Sequence, residues 1–179
     1  MLQLQVPMSE SFDEVSNLFI TSYYAMELEH SLVSLSKWEA FFEKPFLSPA
    51  DKTDEEILWY VRAMTVSPNT PPEVFLRLSQ KNFSEINDYI NGKSTATTFR
   101  EMPHSPSSKE VITAEIIRYW MIALNIPAEY ESWHLNQLFA LIRVTNLKNA
   151  PAKKMGRQEA ARRQQSLNAQ RLAQLGTRG

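Results

Sequence analysis

"LEHSLVSLSKWEAFFEK", residues 28–44, decides the class of fold. Leu28, Leu32, Leu35, Trp38 and Phe42 recur at spacings of four, three, three and four, which places them on one face of an α-helix. Pro45 ends the run, because the residue before a proline avoids the helical region. Downstream, "KTDEEILWYVRAM" repeats the pattern. Thr53 and Glu56 have capping-box spacing, Asp54 and Glu55 suit the positive end of the helix dipole, and Ile57, Val61 and Met64 form the inward line.

Further along, "SPNTPPEVFLRLSQKNFSEINDYING" predicts two short helices. Pro71 and Pro72 enter the first, Ser84 caps the second, and Gly92 stops it. "SKEVITAEIIRYWMIALN" and "AEYESWHLNQLFALIRVTN" are the most apolar helices, separated by Ile126 and Pro127. The expected buried positions are Ile112, Ile116, Tyr119, Trp120 and Ala123 in one, and Leu135, Leu138, Phe139 and Ile142 in the other. Upstream, "LQLQV" alternates as a short strand, and Phe19–Tyr24 predicts a second. The two pair as a hairpin with "PMSESFDE" in the connection.

The expected fold is therefore mainly α: a helical bundle with a short N-terminal β-hairpin and a basic C-terminal helical arm. The expected core centres on Trp38, Ile57, Ile116, Trp120, Leu138 and Ile142. Segments follow from composition: residues 1–26 as the hairpin, 27–92 as a first helical unit, 93–108 as a loop, 109–150 as a helical hairpin completing the bundle, and 151–179 as the arm. "GKSTATTFREMPHSPSS" has no apolar period and is expected to divide two packing units.

Bulk properties narrow the function. The chain has 179 residues, enough for one domain with a core, and 43% hydrophobic content, too much for a disordered chain. It has no cysteine, which removes disulfides and thiolate metal ligands. No apolar run has the length of a membrane span, and the N-terminus lacks the charge and apolar stretch of a secretory signal. The net charge of −1 conceals an asymmetry. Lys148, Lys153, Lys154, Arg157, Arg162, Arg163, Arg171 and Arg178 face only Glu159, so residues 148–179 carry +7 and the remainder −8. That imbalance marks an interaction tail.

Catalytic signatures do not emerge. His30 and His134 read as helical and His104 as a loop residue; no pair has metal-ligand spacing. With four glycines there is no phosphate-cradling motif, and G-x-S-x-G is absent. The expectation is a protein that is not an enzyme and takes no cofactor. The arm is its binding element, with Arg157, Arg162, Arg163 and Arg171 for carboxylates and Leu167, Leu172 and Leu175 as apolar anchors. It is a weak helix on its own and is expected to become helical on docking. The alternative is nucleic-acid binding, in which the same basic residues contact phosphates. The arm has no aromatic side chain for base stacking.

Several blocks resemble a family of small tailed-bacteriophage proteins. They are "MELEHSLVSLSKWEAFFEKPFL", "TDEEILWYVRAMT", "ATTF", "EVITAEIIRYWMIALNIPAEYESWHLNQLFALIRVTNLKNAPAKKMGRQE" and the closing "SLNAQRLAQLGTRG". The resemblance does not extend to the N-terminal quarter, and none of its blocks is a chemical motif. It implies a role in tail morphogenesis, as a tail assembly chaperone or a minor tail component. Implied partners are phage structural proteins such as the tape measure or tail components, and further copies of the chain. The implied location is the host cytoplasm during assembly, with retention in the virion as a further option.

Overall fold

The computed structural model describes residues 1–98, 111–150 and 157–176. Residues Met1–Leu147 form one compact unit and Lys148–Gly179 a second. The chain is mainly α with a two-stranded antiparallel hairpin at its N-terminus. His104 and most of the 93–108 loop lie outside the described residues.

Strand β1 (Leu2–Asp13) pairs with β2 (Leu18–Leu28), from Leu2↔Leu28 to Asp13↔Leu18. "PMSESFDE" is therefore mostly strand rather than connection. Pro7 is accommodated at the register shift between Pro7 and Ser9, where a ladder can spare an N–H. The turn comes later. Asp13 accepts bonds from the Val15 N–H at 3.1 Å and the Ser16 hydroxyl at 2.6 Å. Asn17 then takes the left-handed conformation, φ 53°, which asparagine tolerates better than most residues. At the base, Leu4, Val6, Met26 and Leu28 are fully buried while Gln3 and Gln5 are exposed, as period-two alternation requires.

Helix α1 (Leu32–Phe42) starts four residues later than the apolar spacing suggests. Leu28 belongs to β2, held by a bridge to Thr65, and the Glu29 N–H donates to the Met64 carbonyl at 2.8 Å. Ser31 caps α1 in a box with Ser34. Helix α2 (Asp54–Met64) has the predicted box of Thr53 and Glu56, and Glu56 also receives Lys44 at 2.7 Å. Helix α3 (Pro72–Leu76) is a short turn entered through Pro71. Helix α4 (Gln80–Asn91) is capped by Ser79 with Asn82, not by Ser84. Helix α5 runs from Ala114 to Ala123, "AEYES" forms a 3₁₀ turn at Ala128–Ser132, and α6 spans Leu135–Asn149. Helix α7 (Arg157–Leu175) ends at Gly176, whose φ of 64° suits a left-handed helix stop.

Two apolar clusters fill Met1–Leu147. One joins the hairpin base to Trp38, Tyr60, Val61, Met64, Val74, Phe75 and Ile86. The other joins Leu32 and Leu35 to Ala114, Ile117, Met121, Leu135, Leu138 and Ile142. Helix α1 feeds both, so residues on the two sides of the 93–108 segment share one compact unit. Trp38, Leu138 and Ile142 are buried as expected, but Ile57 is 39% exposed, and Ile116 and Trp120 are half-buried. On α2 the inward line is Glu56, Tyr60, Val61 and Met64. On α5 it is Ala114, Ile117 and Met121, while Tyr119, Ile122 and Ala123 are exposed. A helix apolar on every side does not announce its inner face. Polar contacts set the rotation of α5: Arg118 reaches Ser36 at 3.0 Å and pairs with Glu131 at 3.2 Å.

Candidate functional site

Where the two clusters meet, a buried polar group joins four segments. His30 lies between β2 and α1, and His134 just precedes α6; neither is helical, contrary to the sequence expectation. Their rings are edge-to-face with centroids 5.2 Å apart. The Tyr60 hydroxyl lies 2.6 Å from His30 Nδ1 and 3.5 Å from the Ser34 hydroxyl, whose own proton goes to the Ser31 carbonyl. His134 Nδ1 accepts the Asn136 N–H at 3.2 Å, which leaves its proton on Nε2 to donate to the Tyr89 carbonyl at 3.1 Å. The Tyr89 hydroxyl donates to Glu29 at 2.6 Å, and the Met1 amino group lies 3.0 Å from the other Glu29 oxygen.

Burial sets the protonation of this group. It pushes His30 down to about 4, helped by His134 nearby, and it also lowers His134. Burial raises both tyrosines, and the Glu29 carboxylate raises Tyr89 further. The ensemble is two neutral imidazoles and two protonated phenols. Both phenols, His30 Nδ1 and both His134 nitrogens have hydrogen-bond partners, and Ser34 is locked into the α1 cap. Among the described residues no three His, Cys, Asp or Glu side chains group as a metal site. The arrangement seats α6 beside α1, where the Leu135 N–H donates to the His30 carbonyl at 2.8 Å.

The hairpin presents a different surface. Beyond the register shift its side chains leave the core: Phe12 is 50% exposed, Leu18 63%, Phe19 73%, Ile20 53%, Tyr23 59% and Val15 at the turn 96%. Phe12 and Phe19 face each other across the strands with ring centroids 5.2 Å apart. Strand alternation and the pairing put Glu10, Phe12, Phe19 and Tyr23 on one face, with Asp13 and Glu14 at the end. The Asp13 carboxyl is held below its ordinary range, first by the Ser16 hydroxyl and then by the Val15 N–H. The hairpin itself carries no lysine or arginine, since the first of the chain is Lys37; Lys81 of α4 borders this face beside Glu10 and Tyr23, and Arg77 donates to the Met8 carbonyl. This exposed apolar surface was not expected from the sequence. Its signal was the unbroken run Leu18–Phe19–Ile20, which is apolar on both faces of a strand.

The residues singled out in the sequence lie on α7. Arg157 opens the helix; Arg162, Arg163, Leu167, Arg171, Leu172 and Leu175 are all exposed. Arg163, Leu167, Arg171 and Leu175 stand four apart and share one side. An apolar groove of about 450 Å³ lies along α5 and α6, lined by Trp120, Leu124, Phe139 and Ile142, with Arg143 and Asn146 at its rim. Among the described residues no helix is long and apolar enough to cross a membrane.

No family model matches the chain, and neither a curated protein nor a solved structure matches it.

Proposed function

We propose that this chain is a structural or assembly protein of a tailed bacteriophage that acts by protein–protein contact. Its role is in tail assembly, as a chaperone or a minor tail component, in the host cytoplasm or carried into the virion. The helices of residues 1–147 serve as a bundle, and α7 serves as a basic arm. The observation that carries this reading is the hairpin. A regular ladder continues well past the core and presents Phe12, Leu18, Phe19, Ile20 and Tyr23 to solvent. Exposed aromatic clusters of this kind mark interaction surfaces. The phage assignment draws on the resemblance of "LEHSLVSLSKWEAFFEK" and the "IIRYWMIALN" and "WHLNQLFALI" blocks.

A second reading, nucleic-acid binding through α7, draws on its exposed Arg162, Arg163 and Arg171. Quantitative mass spectrometry of purified particles and of tail intermediates from infected cells tests the first. The chain is expected to co-purify in fixed ratio with tail proteins, and absence from both fractions overturns the reading. A DNA titration over a salt series tests the second. Tight binding with a steep log–log salt slope, lost on deleting residues 157–179, would favour it.

A further inference from the structure

We infer that the exposed end of the hairpin is the seat for α7 of a second copy, so that the chain associates head to tail. This rests on the proposed role in protein–protein assembly and names the partner.

The two surfaces are complementary in charge. Residues 1–36 contain no lysine or arginine, and the hairpin end carries Glu10, Asp13 and Glu14. Beyond Glu159 the chain contains no acid, and α7 exposes Arg162, Arg163 and Arg171. They are also complementary in apolar character. Leu167, Leu172 and Leu175 stand 41%, 43% and 73% exposed, opposite a face built from Phe12, Phe19 and Tyr23. Their lengths agree: Arg163 to Leu175 spans about 18 Å at the helical rise, and Pro7 to Asp13 about 20 Å at the strand rise. Arginine suits the carboxylates, and flat aromatic rings suit leucines and guanidinium stems.

Other seats fit less well. Two hairpins pairing edge to edge would bring Glu10, Asp13 and Glu14 against their own copies with no cation on either hairpin, Lys81 of α4 lying near Glu10 alone. The α5–α6 groove has Arg143 on its rim, and α6 has no acid and ends in Lys148, the same sign as α7. A head-to-tail contact between different surfaces of two copies makes a ring where its rotation closes and a filament where it does not.

Sedimentation velocity on the full chain over a concentration series, at low and high salt, reads this directly. Stepwise association that weakens with salt is expected. Phe12→Ser/Phe19→Ser and Arg162→Glu/Arg163→Glu/Arg171→Glu should each lose association while keeping the helical circular dichroism of the parent. Mixed in equal amounts, the first variant still offers its arm and the second its hairpin, so a dimer that does not grow should form. If the serine variant misfolds, Glu10→Lys/Glu14→Lys replaces it, since both side chains are exposed. A full chain monomeric at every concentration overturns the inference, as does an arginine variant that associates like the parent. A mixture that stays monomeric also overturns it. A chain found in phage particles but monomeric here would sink the head-to-tail contact and leave the assembly role standing.

Discussion

The carboxylate of Glu39 accepts the backbone N–H of Ala114 at 2.7 Å, across 75 residues of chain. Its other oxygen accepts the Phe46 N–H at 2.8 Å. Ala114 opens α5, whose cap residue Thr113 contributes no side-chain bond, so a buried acid on α1 satisfies that terminus. A carboxylate suits the positive end of a helix.

Glu39→Gln keeps the shape but offers one accepting oxygen where two amides donate. The mismatch is expected to lower stability by about 1–3 kcal/mol. Glu39→Leu should cost more, because both amides lose their partner. Urea unfolding followed by circular dichroism gives both values, and a glutamine variant as stable as the parent would contradict the cap.

Acid should weaken the fold through His30. Its folded value is about 4 against an ordinary 6.5, so between these limits the unfolded chain binds more protons than the folded one. The stabilisation is complete above pH 6.5 and falls as pH drops toward 4, by about 3 kcal/mol over the window. The groups facing the ring are Tyr60 and His134, with Tyr89, Glu29 and the Met1 amino group beyond. His134 shifts in the same direction and steepens the loss. His30→Asn should flatten the profile of unfolding free energy between pH 7 and 4, and an unchanged slope would remove His30 as its source.

The inner face of α5 can be read by truncation. Ile117 is fully buried, and Ile117→Ala is expected to cost about 2–5 kcal/mol. Ile57 is 39% exposed, and Ile57→Ala should cost well under half as much. Equal losses in urea unfolding would reverse the assignment of faces.

Asn17 holds the hairpin turn at φ 53°. Asn17→Gly should leave stability within about 0.5 kcal/mol, whereas Asn17→Val forces a β-branched residue into the left-handed region and should cost about 1–2 kcal/mol. Thermal unfolding of the two variants separates them.

Local chemistry was the legible part of this fold. Thr53 with Glu56 marked the start of α2, and alternation in Leu2–Val6 marked β1. Apolar spacing failed where two structures share it. Leu28 continues the line of Leu32, Leu35 and Trp38, yet strand pairing with Leu2 and a bridge to Thr65 claim it. On α5 nearly every position is apolar, so the inner face followed from Arg118 and its distant partners Ser36 and Glu131. The exposed arginines and leucines of α7 were visible as charge and composition. The exposed hairpin end was not, because Phe12 lay in a stretch that read as connection and Phe19 in a run apolar on both faces of a strand.

Helix α1 also imposes an order on synthesis. Its Trp38 side can be covered once α4 has left the ribosome, because every member of that cluster precedes Asn91. Leu32 and Leu35 wait for Ile117 and Leu138. At about 5–20 residues per second, that interval lasts several seconds. Throughout it the nascent chain displays a bare leucine stripe beside an already folded neighbour, and a holdase that shields it has its best opportunity before α6 is translated.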